Sequence, residues 1–310
     1  MTREADEAVL VRPDIRRALD RGQPAVALES ALVTHGLPRP WNVRAARAAE
    51  AAVRGRGALP ATVAVHRQRV IVGLSADEIE QLAYAERAAK VSRHNLAAAV
   101  LGGGWGGTTV SATLVASALA GIRVLATGGI GGVHRGAGTN FDISSDLPEL
   151  ARTPLAVVCS GPKSMLDVPA TLEYLETLGV PVVGIGTDEL PGFLTRKSGR
   201  RVPLSVDTPR QAAELARRHW ELKLGSSVLF VVPPPADTAL SRDEADGAIR
   251  VALAEAAEQG THGAAATPWV LARVAELTGG RAVRANVALV EHNASVAAQI
   301  AIALAEGTGA

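Results

Sequence analysis

Cysteine is nearly absent from this chain of 310 residues. Because Cys159 is the only one, no disulfide can form within the chain and cysteine-rich zinc sites are excluded. We therefore expect a reducing compartment, the cytoplasm. The first residues, MTREADEAVLVRPDIRRALDRG, are charged and lack the apolar core of a signal peptide, which argues against export.

The chain also lacks an excess of charge of either sign. Its net charge is +1, with 47% hydrophobic and 20% charged residues. This balance gives no electrostatic footprint for nucleic acid or for an acidic membrane, and we expect a soluble globular protein with a small-molecule partner. One uncharged stretch, residues 95–122, exceeds the roughly 20 residues that span a bilayer. Because its centre is GGGWGG, we interpret it as two buried helices joined by a glycine loop.

Apolar β-branched runs of strand length alternate with alanine- and leucine-rich segments of helical spacing. The predicted strands are 25–28, 62–65, 70–72, 122–126, 155–159, 180–185 and 227–232; the predicted helices among them are 43–53, 75–88, 108–119, 169–178 and 208–222. This alternation predicts an α/β fold with a largely parallel sheet. From about residue 236 only helical patterns follow, over 242–259, 268–277 and 285–305. We interpret residues 1–310 as a single domain with a helical C-terminal part.

Lysine is scarce as well, since only four of the 32 basic side chains other than histidine are lysines. Lysine, unlike arginine, can lose its proton at an accessible pH and act as a nucleophile. Lys197 and Lys223 lie among other charges and are expected on a solvated face. Lys90 and Lys163 adjoin apolar or glycine-containing segments and are candidates for chemistry.

Lys163 follows a predicted strand through a Ser-Gly-Pro turn. A second cation nearby, such as Lys90 or Arg135, would favour its neutral, nucleophilic form. A lysine that only binds phosphate fits the pattern equally well. Cys159, inside VVCSG, is more typical of a small core residue than of a nucleophile.

Two glycine-rich segments are candidate binding loops. Residues 101–110, LGGGWGGTTV, lack both the preceding strand of a dinucleotide fingerprint and the lysine of a P-loop, although Thr108, Thr109 and the amides at the helix start could hold a phosphate. Residues 125–150 run from a strand into glycines and then supply His134, Asp142 and Asp146, at the strand end where α/β proteins bind ligands.

The roles of the acidic residues stay open at this point. Asp146 could equally be the N-cap of a helix over LPEL. Asp142 has no obvious capping role, and a lone carboxylate among hydroxyls suits a hydrated Mg²⁺ or Mn²⁺. Glu29 ends a strand ahead of His35, and it could be a general acid or merely an exposed side chain.

Longer segments carry a family resemblance. They are VALESALVTHGLPRPWN, AKVSRHNLAAAV, GTTVSATL, TPWVLARVAELTGG, NVALVEHNASVAAQIA and a central block of some seventy residues that starts at ATGGIGGVHRGAGTNFDISSDLPEL. Together they resemble the pseudouridine-5′-phosphate glycosidases, the indigoidine synthase A-like family, from about Pro24 to Ile302. The resemblance implies a three-layer α/β/α fold, a homotrimer and a cytoplasmic enzyme with a Mn²⁺ ion, for which Mg²⁺ is a possible substitute.

The reaction that the resemblance implies is reversible cleavage of pseudouridine 5′-phosphate to uracil and ribose 5-phosphate. In this family a lysine opens the ribose at C1′ through an imine and a glutamate donates a proton, and these roles fall on Lys163 and Glu29. The metal-linked aspartate falls on Asp142. Substrate contacts fall on Lys90, Val110, Ser144, Ser145, Asp146 and Asn286; the glycine-rich segments add Thr109 and His134.

Three departures from the family pattern are visible, at Asn95 in place of an aspartate, at Pro162 in the lysine turn, and at 264–266 in place of a Lys-Glu pair. They bear on subunit contacts, substrate preference and rate. Two other functions stay open: a Schiff-base enzyme for another C-nucleotide or sugar phosphate, and a non-catalytic nucleotide-binding subunit.

Overall fold

The computed structural model describes residues 8–261 and 266–307. The N-terminal residues 1–7 and two of the departing alanines, Ala264 and Ala265, lie outside the described residues.

Eleven short strands form one sheet. They are β1 (Val9–Val11), β2 (Ala25–Leu28), β3 (Leu59–His66), β4 (Arg69–Val72), β5 (Ala89–Val91), β6 (Gly106–Thr108), β7 (Val124–Ala126), β8 (Ala156–Cys159), β9 (Val182–Ile185), β10 (Leu204–Val206) and β11 (Val228–Val231). The order is β1-β4-β3-β2-β7-β8-β11-β9-β10, with β6 paired to β3 and β5 paired to β6. Only the pairs β3–β4 and β3–β6 are antiparallel, so the predicted largely parallel sheet is confirmed for the described residues.

Helices fill the connections between strands. They are α1 (Pro13–Asp20), α2 (Trp41–Gly55), α3 (Ala76–Tyr84), α4 (Leu96–Gly102), α5 (Val110–Ala120), α6 (Ala137–Asn140), α7 (Asp146–Leu150), α8 (Val168–Thr177), α9 (Pro209–Glu221), α10 (Arg242–Glu258), α11 (Ala266–Leu277) and α12 (Arg281–Glu306). A π-helical turn, Leu32–Gly36, follows β2, and a 3₁₀ turn, Arg93–Asn95, precedes α4. The capping box of Ser75 and Glu78 opens α3.

Strand side chains are buried on both faces of the sheet. In β2, Val26 and Leu28 belong to the buried cluster that also contains residues of α2, α9, α10 and α12, whereas Ala25 and Ala27 belong to the cluster with residues of α1, α5 and α8 on the other face. Alternation with a period of two places successive strand residues on opposite faces. The predicted three-layer α/β/α arrangement is therefore confirmed.

Cys159 belongs to this core. It is fully buried, and burial raises the pKa of its thiol to about 12. The interpretation as a small core residue is confirmed. Lys197 and Lys223 are exposed, as predicted, with Lys197 paired to Glu189 at 3.4 Å.

The interpretation of residues 95–122 as two buried helices was wrong in part. The first helix, α4, has no buried residue, and Leu101 on it is 78% exposed. The glycine stretch between the helices contains β6, where Gly106 and Gly107 pack so closely against Val91 and Thr34 that a Cβ would collide. The apolar stretch is therefore divided between a surface helix, an inner strand and the buried helix α5.

Helix α12 is long and apolar enough to cross a membrane by length and composition alone. Half of that stretch is buried within the chain, however, and its buried side chains belong to the core against one face of the sheet. This environment is typical of the core helix of a globular protein.

Candidate active site

Three neighbouring strands of the sheet end at one cavity. Glu29 follows β2 directly, Gly128 follows β7, and Lys163 lies four residues beyond β8. The cavity has a volume of about 330 Å³. All the predicted site residues line it: Glu29, Lys90, Thr109, Val110, His134, Asp142, Ser144, Ser145, Asp146, Lys163 and Asn286. The cavity thus lies beyond the carboxyl ends of parallel strands, as in other α/β proteins.

Glu29 is held in the cavity wall by two hydrogen bonds. Its Oε2 accepts the N–H of Leu32 at 3.0 Å, at the start of the π-helical turn, and its Oε1 accepts the hydroxyl of Thr127 at 3.3 Å. Burial raises the pKa of Glu29 and the negative charge of Asp146 adds to this, against the opposing effect of Lys163. A carboxyl group that keeps its proton to a higher pH is suited to donating it.

The turn that carries Lys163 is fixed by main-chain pairing with Ile130. The N–H of Ile130 donates to the carbonyl oxygen of Gly161 at 3.2 Å, and the N–H of Lys163 donates to that of Ile130 at 3.1 Å. Gly161 has φ +89°, a conformation that favours glycine. Pro162 costs no hydrogen bond here, because the pairing uses the carbonyl oxygen of Gly161 before it and the N–H of Lys163 after it.

Lys90 supplies the second cation. Its pKa is lowered, first by burial and then by the positive charge of Lys163. A lowered pKa favours the free amine form of Lys90 in the cavity. The alternative second cation, Arg135, is exposed and lies outside this cavity, with its Nε 3.4 Å from the carbonyl oxygen of Met165.

His134 and Asp142 face each other across a short loop. The His134 Nδ1 lies 3.8 Å from the Asp142 Oδ2, and the His134 N–H donates to the carbonyl oxygen of Asp142 at 3.0 Å. Burial lowers the pKa of His134 despite the carboxylate, and Lys90 and Lys163 lower it further. The imidazole is therefore neutral at neutral pH.

Asp146 is a buried carboxylate that joins two segments. Its Oδ1 accepts the N–H of Ser111 at 2.9 Å and its Oδ2 accepts the N–H of Gly131 at 2.8 Å. Asp146 is the first residue of α7, and the N-cap is Ser145. The interpretation of Asp146 as an N-cap was therefore wrong. Both of its oxygens are already used to hold the start of α5 against the glycine segment.

The hydroxyl groups at the start of α5 form a chain. Ser92 and Ser111 both lie within hydrogen-bonding distance of Thr109, at 3.0 and 3.1 Å, and Ser145 lies 3.1 Å from Ser111. The Thr108 side chain does not line the cavity. Its hydroxyl is buried and donates to the carbonyl oxygen of Val63 at 2.8 Å. The prediction that Thr108 faces a ligand was wrong, whereas Thr109 lines the cavity.

Asn286, from helix α12, is buried with its Oδ1 unpaired. Among the residues that the structure describes, no group donates to that oxygen. A buried acceptor without a partner is costly, and it indicates a place that a ligand N–H or O–H fills.

Asn95, one of the departures, has a local role. Its Oδ1 accepts the N–H of Ser92 at 2.8 Å, and its Nδ2 donates to the carbonyl oxygen of Lys90 at 3.0 Å. An aspartate could make only the first of these bonds. Asn95 therefore secures the main chain that carries Lys90.

Sequence reasoning missed the residue that fastens the strand ends, Asn293. This fully buried amide donates from Nδ2 to the carbonyl oxygen of Thr127 at 2.9 Å and accepts the hydroxyl of Ser160 at 3.2 Å. It also missed Phe193, which has φ +65° and packs where a Cβ on Gly129 would come within 2.7 Å of its ring. A polar residue in an otherwise apolar helical stretch, EHNASVAAQIA, was the available signal for Asn293.

The chain has relatives among known families and proteins. The family model described as indigoidine synthase A like protein matches residues 14–303. A pseudouridine-5′-phosphate glycosidase of Solibacter usitatus is 50% identical over 94% of this chain and 97% of its own. One of Paracoccus denitrificans is 51% identical over 96% of this chain and 98% of its own.

Two solved structures share the fold. The prealnumycin C-glycosynthase AlnA, in complex with ribulose 5-phosphate, is 37% identical with a TM-score of 0.89, covering 98% of this chain and 99% of its own. An indigoidine synthase A-like protein from Thermotoga maritima is 36% identical with a TM-score of 0.87, covering 96% and 97%.

Proposed function

The chain belongs to the indigoidine synthase A-like family, and we propose that this enzyme reversibly cleaves the C–C glycosidic bond of pseudouridine 5′-phosphate to give uracil and ribose 5-phosphate. The relatives named above, at about half identity over nearly the whole chain, support the substrate. The observation that carries the mechanism is the cavity that brings Lys163, the partly buried Glu29 and Lys90 together at one sheet edge.

A carbon–carbon glycoside needs a mechanism different from that of ordinary glycosidases. The leaving carbon has no lone pair to protonate, so a pair of carboxylates acting on a glycosidic heteroatom cannot expel the base. A lysine amine can instead form an imine with the sugar, and the electrons of its nitrogen then drive bond cleavage.

We propose three steps: ring opening, cleavage of the C–C bond and hydrolysis of the imine. The Lys163 Nζ bonds to C1′ while the C1′–O4′ bond breaks and O4′ takes the proton of Glu29. The nitrogen then forms a double bond to C1′ as the C1′–C5 bond breaks, and one of the two nitrogen protons passes to C5 of uracil. Water adds to the protonated imine, releasing ribose 5-phosphate and the free amine, and a proton returns to Glu29.

The charges around the cavity suit these steps. The raised pKa of Glu29 keeps it protonated when the sugar ring opens. Lys90, whose pKa is lowered by burial and by Lys163, offers a cation or a neutral donor for the phosphate or ribose oxygens. The hydroxyl groups of Thr109, Ser144 and Ser145 line the same cavity and supply further donors.

A hydrated divalent ion fits at Asp142. Within the described ranges no three histidine, cysteine, aspartate or glutamate side chains come together, so an all-protein cage does not fit. The Asp142 carboxylate, which lines the cavity and is 38% exposed, suits Mn²⁺ or Mg²⁺ that keeps most of its waters. Such an ion would supply positive charge for substrate oxygens.

Two assays test this function. Incubation with pseudouridine 5′-phosphate and Mn²⁺ should release uracil, followed by chromatography, and a folded protein that releases none would overturn the proposal. Borohydride reduction with ribose 5-phosphate should attach the pentose to Lys163, located by peptide mass spectrometry. Lys163→Ala should lose activity by about 10³-fold or more, since the nucleophile has no substitute; an adduct on Lys90 instead would reassign the nucleophile.

A second function is favoured by one observation, the similarity to AlnA, a C-glycosynthase. The same imine at C1′ can be attacked by a carbon other than C5 of uracil. A protein that traps ribose 5-phosphate yet neither cleaves pseudouridine 5′-phosphate nor joins uracil would support this alternative. The homotrimer stays a prediction, which light scattering of the purified protein tests.

A further inference from the structure

A second cavity adjoins the candidate active site on the side of the C-terminal helices. It has a volume of about 340 Å³ and lies between the π-helical turn and the helices α11 and α12. We call it the side cavity. It shares His35, Gly36, Pro268, Leu271 and Asn286 with the active-site cavity, so the two spaces adjoin along a common wall.

The lining of the side cavity is mostly apolar, with Thr34, His35 and Asn286 as its polar side chains. Besides the shared residues it is formed mainly by leucine, valine, alanine and proline side chains, including Leu194, Ala275 and Val283. None of the lysines, serines or aspartates that line the active-site cavity line it. The phosphate and ribose of a substrate therefore belong to the other end, and only the base can lie next to the side cavity.

Asn286 marks the junction between the two spaces. Its Oδ1 is buried and unpaired among the described residues, and it lines both cavities. An N–H of a heterocyclic base would satisfy that oxygen and place the base at the common wall. The active-site cavity alone lies in the range of pockets that hold a small ligand, about 300–1,000 Å³. A single pyrimidine ring thus leaves the side cavity unfilled.

We propose, on the basis of the function proposed above, that the side cavity receives an apolar extension of the base, so that the enzyme accepts C-nucleotides whose pyrimidine carries an alkyl or aryl substituent. In the synthetic direction the C5–C1′ bond forms as the C5 proton and the C1′ hydroxyl of ribose 5-phosphate leave as water. A substituent on a ring nitrogen leaves that chemistry unchanged.

The test compares uracil with its 1-butyl and 3-butyl derivatives as acceptors of ribose 5-phosphate. Each methylene buried in an apolar pocket is worth up to about fourfold in kcat/KM. One butyl isomer should therefore exceed the corresponding methyl derivative by about tenfold or more. Ala275→Phe, on α11, should abolish that gain while leaving the rate with uracil unchanged. Ala254→Phe, an exposed position on α10 that lines neither cavity, should keep it.

The outcomes separate this proposal from the function on which it rests. Uracil turnover without a gain for either butyl isomer overturns the side-cavity proposal and leaves the glycosidase function standing. A gain that survives in Ala275→Phe overturns it as well. If uracil is not turned over, calorimetric binding of butyluracil to the unmodified protein decides the question: binding that Ala275→Phe abolishes supports the side cavity, and equal or absent binding in both proteins rejects it.

Discussion

Asn293 donates a hydrogen bond from its Nδ2 to the carbonyl oxygen of Thr127 at 2.9 Å. It also accepts the hydroxyl of Ser160 at 3.2 Å, so one amide from α12 joins the ends of β7 and β8. Glu29 bonds to the side chain of Thr127, and Lys163 follows Ser160 by three residues. The relative position of acid and nucleophile therefore depends on a residue outside the cavity lining.

Asn293→Ala should lower both stability and kcat. Leaving buried partners unpaired costs about 1–3 kcal/mol, which for a chain of this size lowers Tm by several degrees. Because Asn293 positions the two strand ends, kcat should fall by at least tenfold at temperatures well below Tm.

Ser227→Ala is the matched control for Asn293→Ala. Ser227 is also fully buried and hydrogen-bonded, to the carbonyl oxygen of Thr153, but it precedes β11 and so lies at the amino end of that strand, away from the carboxyl ends that carry the site. Its loss should lower Tm and leave kcat unchanged. Equal kcat values in the two variants would show that Asn293 is only structural.

Glu29→Gln should lower kcat by about 10²–10⁴, as removal of a general acid does. Wild-type kcat should also fall as the pH rises through the folded pKa of Glu29, which burial and Asp146 raise above the usual 4.5. The variant should lack this alkaline limb. An identical pH profile for the two proteins would assign proton donation to another group.

The same substitution has a defined effect on stability. Because the folded pKa of Glu29 is raised, its stabilising effect is complete below the usual 4.5 and is lost as the pH rises through the folded value. Denaturant titrations should therefore show Glu29→Gln gaining stability relative to the wild type across that window. A constant difference at every pH would contradict the raised pKa.

Most long strands and helices were predictable because burial on two faces leaves a periodic apolar pattern. Strand β2 and helix α10 agree with their predicted ranges almost residue for residue. Strands β5 and β6 were missed, since each has three residues and Gly106-Gly107 looks like a turn. The π-helical turn was missed because five residues carry no periodicity.

The candidate site was predictable where side-chain chemistry and family resemblance coincide, as at Lys163 and Glu29. It was not predictable where the role of a residue depends on contacts with segments distant in the sequence. The amide of Asn293 reaches strand ends more than a hundred residues away in sequence, and both oxygens of Asp146 accept main-chain N–H groups of other segments. No local pattern encodes such contacts.

Asn95→Asp should destabilise the loop that carries Lys90. The new carboxylate can still accept the N–H of Ser92. It cannot donate to the carbonyl oxygen of Lys90, as the Asn95 Nδ2 does, and it places a second acceptor next to that oxygen. We expect a loss of about 1 kcal/mol and a Tm lower by about 2–4 °C. The added negative charge should also raise the pKa of Lys90. Thermal melts of Asn95→Asp and Asn95→Ala test this, and an aspartate variant as stable as wild type would contradict it.

Asp142→Asn should weaken binding of Mn²⁺ by about tenfold or more, because it removes the charged carboxylate that we propose holds the ion. The measurement is calorimetric titration of Mn²⁺ into the protein without substrate, so that it does not depend on turnover. Asp188→Asn, an exposed aspartate paired with Arg201 outside the cavity, is the control and should bind as wild type does.

The substitution at Asp142 has a second consequence that distinguishes loss of a metal ligand from general damage. The Asp142 carboxylate is the one neighbour that raises the pKa of His134, against burial, Lys90 and Lys163. Its removal should lower the pKa of His134 further, visible in the histidine resonances of an NMR titration, while the fold is unchanged. An unshifted His134 together with unchanged Mn²⁺ affinity would mean that neither the ion nor the imidazole senses Asp142, and the metal would have to be sought elsewhere.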